Sequence, residues 1–271
     1  MTAASGPRRR GVGRTVARVV ALLAIAAVAL QLAFLLRLAA MVAIDPQSTT
    51  FQRSEAWRLA LAGDAGRWRQ RWVDDAGLSP HLKRAVIAAE DARFTGHSGV
   101  EWDAIEKAWE KNQRAEAVVD KATLRADEQA AARAARGLPP REPAPVRAAK
   151  VVGGSTITQQ LAKNLLLGGE RTLLRKGEEL VLAVALETLL DKRRILEIYL
   201  NSVEWGDGVF GAEAAAQHYF HTDAGRLSPR QAAQLAVMLP APKRFEKRPG
   251  SAYVQGRAAS IVARMGDVEL P

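Results

Sequence analysis

Gly153-Gly154-Ser155-Thr156-Ile157-Thr158-Gln159-Gln160-Leu161-Ala162-Lys163-Asn164 is the stretch from which the fold can be read. Thr156 and Gln159 have the spacing of a capping box, in which a hydroxyl and an amide each satisfy a backbone N–H left over at a helix start. A helix is therefore expected to begin there. Farther along, Ser228-Pro229-Arg230-Gln231 carries the same signal, with a cap, a proline at the first helical position and a capping glutamine ahead of Leu235 and Met238. Upstream, the apolar period from Ser79 onward is helical, and no run of alternating strand residues appears. Leu82, Val86 and Glu90 fall at i, i+4 and i+8, which puts an acid on an apolar stripe. The fold class expected is mainly α.

A chain of 271 residues holds one catalytic domain with a real core plus accessory segments. The net charge of +10 points to a polyanionic partner, either nucleic acid, a phospholipid surface or a substrate bearing pyrophosphate. Charge alone does not choose among them. About half of that excess is Arg8, Arg9, Arg10, Arg14 and Arg18, with no acid between them, and it belongs to the membrane question. Val19 to Leu36 carries no charge and Gln31 is its only strongly polar residue, so 19–44 reads as one transmembrane anchor. A cleaved signal would end in a small-x-small site, and Leu38-Ala39-Ala40-Met41-Val42-Ala43-Ile44 has no Ala-x-Ala. Arginines ahead of the span place 1–18 in the cytoplasm and the rest outside it. The absence of cysteine fits an extracytoplasmic domain without disulfides.

In 45–75, Trp57, Trp68 and Trp72 stand among Arg53, Arg58, Arg67, Arg69 and Arg71. That composition suits either the headgroup layer or a surface segment whose tryptophans pack on the domain. The remainder, 76–271, reads as the catalytic domain, interrupted by 113–150. That stretch is alanine-rich and charged, ends in Gly137-Leu138-Pro139-Pro140-Arg141-Glu142-Pro143-Ala144-Pro145, and lacks large apolar residues to offset the cost of ordering its backbone. A mobile insertion is expected, helical in its alanine-rich half.

Several residues carry chemistry. Glu90 on its apolar stripe is either a base with a raised pKa or a helix-end acid that pairs with Arg93 or His97. His97, alone, reads as a structural or positioning group, and His218 and His221 lack further ligands at metal spacing. Arg171, Arg175 and Glu179 share one helical row, which by itself is an ordinary ion pair. Gly206-Asp207-Gly208-Val209-Phe210-Gly211 satisfies the dinucleotide pattern G-x-G-x-x-G, but it has no preceding strand and no acid at position 231.

Four segments together resemble the monofunctional biosynthetic peptidoglycan glycosyltransferases, the transglycosylase family shared with class A penicillin-binding proteins. They are Glu90-Asp91-Ala92-Arg93-Phe94-Thr95-Gly96-His97-Ser98-Gly99, the 153–164 stretch, Arg175-Lys176-Gly177-Glu178-Glu179, and Ile195-Leu196-Glu197-Ile198-Tyr199-Leu200-Asn201. No Ser-x-x-Lys motif of a transpeptidase is present. The resemblance implies a lysozyme-like head lobe and a small membrane-proximal jaw lobe. It implies polymerisation of lipid II into β-1,4 glycan with release of undecaprenyl pyrophosphate and inversion at the donor MurNAc C1. It implies Glu90 and Glu179 as the catalytic carboxylates. Asp91, Ser155, Thr156, Gln160, Lys163, Asn164, Arg171, Arg175 and Lys176 are the expected substrate-binding residues. Glu179 would position the pyrophosphate directly or through a divalent cation, Mg or Mn. Expected partners are lipid II, the nascent glycan strand, membrane lipids and other cell-wall synthesis or division proteins, with no nucleic acid. The location implied is the inner membrane, with a single pass and a periplasmic catalytic domain. The rival readings are a muramidase or lytic transglycosylase, which the basic row disfavours, and a non-catalytic wall scaffold, which the complete set of acids and cations disfavours.

Overall fold

The computed structural model describes residues 10–135, 154–168 and 172–271. It is mainly helical. The first helix, α1 (Arg10–Ala40), includes a candidate membrane span, Gly13–Ala40, of 28 residues and mean hydropathy 2.8. Its apolar side chains from Val16 to Leu36 are largely exposed, whereas Leu38 and, just beyond the helix, Met41 are buried in the domain. The end of the span is thus part of the globular core. A capping box of Thr49 and Gln52 starts α2 (Thr50–Leu61). β1 (Arg69–Gln70) follows, then α3 (Pro80–Glu90), capped by Ser79 with Pro80 in its first turn.

The next helix, α4 (Trp102–Ala135), passes without a break through 112–113, so no change of secondary structure marks the start of the insertion. The proline-rich part of that segment, 136–153, lies outside the described residues. α5 (Ile157–Leu166) begins with the capping box of Thr156 and Gln159, and α6 (Leu173–Leu189) with Thr172. α7 (Lys192–Ser202), capped by Asp191, leads into β2 (Glu204–Gly206) and β3 (Val209–Phe210). α8 (Ala212–Phe220), α9 (Pro229–Met238), the short α10 (Pro242–Phe245) and α11 (Ala252–Val262) complete the chain. Ser228 and Gln231 box the start of α9.

α3 packs against α9 and α11, and α5 against α6 and α7. α2 lies on α5 and α1 on α6. One apolar core joins both groups, with Leu82, Val86, Leu161, Leu186, Ile198 and Trp205 at most 1% exposed. Each such side chain contributes about 1.5–3 kcal/mol by burial. Asn201 ties the chain after β1 to this core, since its amide accepts from Val73 N–H at 2.9 Å and donates to Val73 C=O at 2.8 Å.

The glycine-rich stretch is the β2–β3 hairpin and not a nucleotide loop. β3 pairs antiparallel with β2 and parallel with β1, giving the order β1-β3-β2. These strands span two or three residues, too short for a period of two to show in sequence. Gly211, at φ 82°, precedes α8 where a Cβ would meet Asn201 O at 2.8 Å.

The tryptophans divide between the two expectations. Trp68 stacks on Phe210 with centroids 4.7 Å apart, and Trp72 packs on the core under the Arg194 guanidinium, 5.7 Å from the ring centre. Trp57 is 68% exposed.

Candidate active site

Glu90 is the last residue of α3, and Leu82 and Val86 beneath it are fully buried. The stripe therefore carries the acid to the domain's inner edge, where it is half-buried. Gln160 on α5 donates an amide N–H to Glu90 Oε2 at 2.9 Å, and Tyr199 on α7 donates its hydroxyl to Gln160 Oε1 at 2.9 Å. Burial pushes the Glu90 carboxyl above its usual range. The Gln160 donor opposes that push, the neighbouring Asp91 charge adds to it, and Lys163 opposes it. A carboxyl in that balance takes a proton more readily than a solvated glutamate does.

Asp91 turns the other way. Its side chain is 1% exposed, one oxygen accepting the Ile157 N–H at 3.0 Å and the other meeting His97 Nε2 at 2.9 Å. His97 Nδ1 accepts from Gly99 N–H at 3.2 Å, so the ring proton sits on Nε2 and a neutral imidazole satisfies both bonds. Asp91 thereby occupies the positive N-terminal end of α5. Thr156 adds a hydroxyl bond to Gly99 O at 2.6 Å. Gly99 itself, at φ +83°, lies so close to α6 that a Cβ would sit 3.1 Å from Ala183 O.

Glu179 has a different setting. Its side chain is 4% exposed on α6, where Arg175 Nη1 bonds one oxygen at 2.9 Å and Lys176 Nζ bonds the other. Lys176 also reaches Ser155 Oγ at 3.2 Å. The start of α5 thus lies between the two acids, with Asp91 beside Glu90 accepting the Ile157 N–H and Ser155, just ahead of the cap, bonded to Lys176 of the Glu179 pair. Gln160, Lys163 and Asn164 follow along α5 at i, i+3 and i+4, Lys163 exposed and Asn164 half-buried. Arg171 lies outside the described residues.

Two clusters of potential ligands lie close enough to share a cation among the described residues, Asp91-His97-Glu101 and the three acids Glu55-Glu204-Asp207. Glu179 belongs to neither, and its two oxygens are already engaged by cationic side chains. Its surroundings do not fit a divalent ion.

Sequence reasoning missed three features. The Tyr199 hydroxyl under Gln160 was legible only as part of the fourth motif. Gln31 in α1 donates to Glu178 on α6, so the one polar residue of the apolar span has a partner in the domain. On the far side of α2, Lys243 bridges Glu55 and Glu204, and burial pushes Glu204 to about 7 although Lys243 lies 3.3 Å away.

A half-buried carboxylate bonded by a neutral amide thus sits beside a helix start that Lys176 reaches through Ser155, in a mainly helical domain. The chain belongs to the family described as Transglycosylase, which matches residues 60–122 and 144–266. It is 48% identical over 268 residues to a biosynthetic peptidoglycan transglycosylase of Burkholderia thailandensis, covering 99% of this chain and 92% of that protein. It is 44% identical over 272 residues to the protein of the same description from Paraburkholderia phytofirmans, covering all of both. A third so described, from Bordetella pertussis, is 48% identical over 227 residues, 84% of this chain and 82% of that one. The family match breaks off at 123–143, inside the alanine-rich segment.

Proposed function

We propose that this chain is a peptidoglycan glycosyltransferase that polymerises lipid II, with Glu90 as general base. The observation that carries the reading is the Glu90 carboxylate. Burial raises its pKa, and a neutral amide from the 153–164 motif donates to it. In the reaction Glu90 takes the proton of the acceptor GlcNAc 4-hydroxyl, and that oxygen bonds to C1 of the donor MurNAc from the face opposite the leaving group. The C1–O bond to pyrophosphate breaks, its electrons leave with undecaprenyl pyrophosphate, and the anomeric centre inverts.

Charge develops on the departing pyrophosphate, and cations already in place stabilise it without reorganising. Lys163, Arg175 and Lys176 fill that role, and Arg171, outside the described residues, is assigned to it from the family resemblance alone. Glu179 orders Arg175 and Lys176, and no metal enters this account. Ser155, Thr156 and Asn164 shape the first turn of α5 and its exposed face around the substrate. Asp91, with its oxygens bonded to Ile157 N–H and His97, serves the substrate by positioning the start of α5.

α1 anchors the enzyme in the inner membrane, with 1–18 cytoplasmic and the catalytic domain periplasmic, so that the groove meets the lipid-borne substrate at the bilayer. Residues 113–150 are assigned no part in the chemistry, and any role they have lies in contact with other wall-synthesis proteins or the membrane.

The full chain in detergent with fluorescent lipid II tests the reading. Long glycan polymer and free undecaprenyl pyrophosphate are expected, with both lost in Glu90→Gln. Shortening of added glycan strands without polymer growth would instead establish the cleavage reading, and no turnover of either substrate would establish a scaffold.

A further inference from the structure

We infer that Tyr199 is a positioning residue for the base, acting through Gln160 to hold one face of the amide toward Glu90. The inference rests on the assignment of Glu90 above and extends it to a residue on a third helix.

An amide side chain is ambiguous by itself. Rotated by half a turn about its last bond, Gln160 would present its carbonyl oxygen to the Glu90 carboxylate, and two acceptors would face each other. The Tyr199 hydroxyl removes that choice. It lies 2.9 Å from Gln160 Oε1, and a phenol hydroxyl with one proton donates it to the carbonyl side, leaving the NH₂ side for Glu90 at 2.9 Å. Tyr199 is 1% exposed, and burial pushes its hydroxyl well above the usual tyrosine range, so it stays a donor through the working pH range. The relay runs across three helices, α7 to α5 to α3, from Tyr199 in the core to the half-buried Glu90. Packing fixes the Tyr199 end, and through it the amide.

The charged and titratable groups facing Glu90 are Asp91 at the end of α3, Lys163 on α5 and Tyr199 on α7. Asp91 disfavours the carboxylate and Lys163 favours it, and neither depends on the Gln160 rotamer. The amide N–H is the adjustable member. With it in place Glu90 is held in the carboxylate form that accepts a proton; with it rotated away, burial and Asp91 prevail.

The pH dependence of kcat for lipid II polymerisation tests this in Tyr199→Phe, which keeps the ring in the core. Without the hydroxyl Gln160 is free to rotate, and loss of its N–H bond to the charged Glu90 acceptor is expected to move the acid limb upward by about one pH unit, so activity below the limb falls about tenfold while KM changes less than about twofold. In a Gln160→Leu background, adding Tyr199→Phe should move the limb no further. Site-specific 3-fluorotyrosine at position 199, a stronger donor of the same shape, should move the limb downward and keeps the test available if Tyr199→Phe folds poorly. An unmoved limb in a folded Tyr199→Phe or fluorotyrosine protein overturns the relay, as does a full additional shift in the Gln160→Leu background. Substantial activity remaining in Glu90→Gln would overturn the base assignment itself. An inactive Glu90→Gln with an unmoved Tyr199→Phe profile would overturn the relay alone.

Discussion

Glu90 and Glu179 are both helical glutamates on either side of the start of α5, yet the protein surrounds them in opposite ways. Glu90 meets a neutral amide in a half-buried position, and burial raises its pKa. Glu179 is more deeply buried but is met by Arg175 and Lys176. The difference shows that burial alone does not assign a carboxylate its role. A neutral partner leaves a proton-accepting group poised, whereas two cations turn the acid into a fixed counter-charge that orders them.

The largest expected effects break that comparison directly. Glu90→Gln should lower kcat by about 10²–10⁴, the usual worth of general base catalysis, with melting temperature at or above that of the parent. Glu179→Gln should instead destabilise, because Arg175 and Lys176 lose their counter-charge. The cost of breaking such a pair is about 3 kcal/mol, at the low end for buried pairs since Lys176 is 46% exposed, and roughly 6–12 °C in melting temperature. Equal thermal losses in the two variants, read by calorimetry, would erase the distinction.

Glu204 sharpens the comparison as an intermediate case, a buried acid with a lysine 3.3 Å away that still titrates at about 7. Its folded pKa lies above the unfolded value of 4.5, so between those values the folded chain holds a proton the unfolded chain has released. The contribution is complete below pH 4.5 and is lost as pH rises through about 7. Glu204→Gln removes that loss and should gain up to about 3 kcal/mol on the parent between pH 4.5 and 8, measured by denaturant unfolding at each pH. A parallel pair of stability curves would mean that Lys243 already compensates for burial.

Pyrophosphate cations come next. Lys163→Ala should raise KM for lipid II about tenfold or more, with little change in affinity for soluble glycan fragments, because a charge-assisted phosphate bond is what is removed. Equal losses for both ligands would make Lys163 structural. The smallest effect is expected from excising 114–149, an alanine-rich, charged stretch that includes the outer part of α4 and carries few large apolar residues. Closing the gap changes loop entropy only slowly with length, so melting temperature should stay within about 3 °C and detergent activity should persist. Collapse of the fold would show that the segment packs on the catalytic lobe.

The sequence by itself determined the helix starts and the character of α1. Thr156 with Gln159 and Ser228 with Gln231 are bonds between residues three apart, and composition alone suffices to recognise an apolar span. It also brought Glu90 to the inner edge of α3, since an i, i+4, i+8 stripe is a local property. Only the tertiary structure decided what faces that acid. Gln160 lies 70 residues from Glu90 and Tyr199 another 39 from Gln160, while Ser155 meets Lys176 across 21. The opposite orientation of Asp91, the division of the tryptophans and the raised Glu204 were likewise out of reach, as was the pairing of β1 with the distant β3. Spacing along the chain specifies what a single helix can satisfy within one turn. A proton's affinity is set by whichever groups packing brings around it, and distant segments supply those.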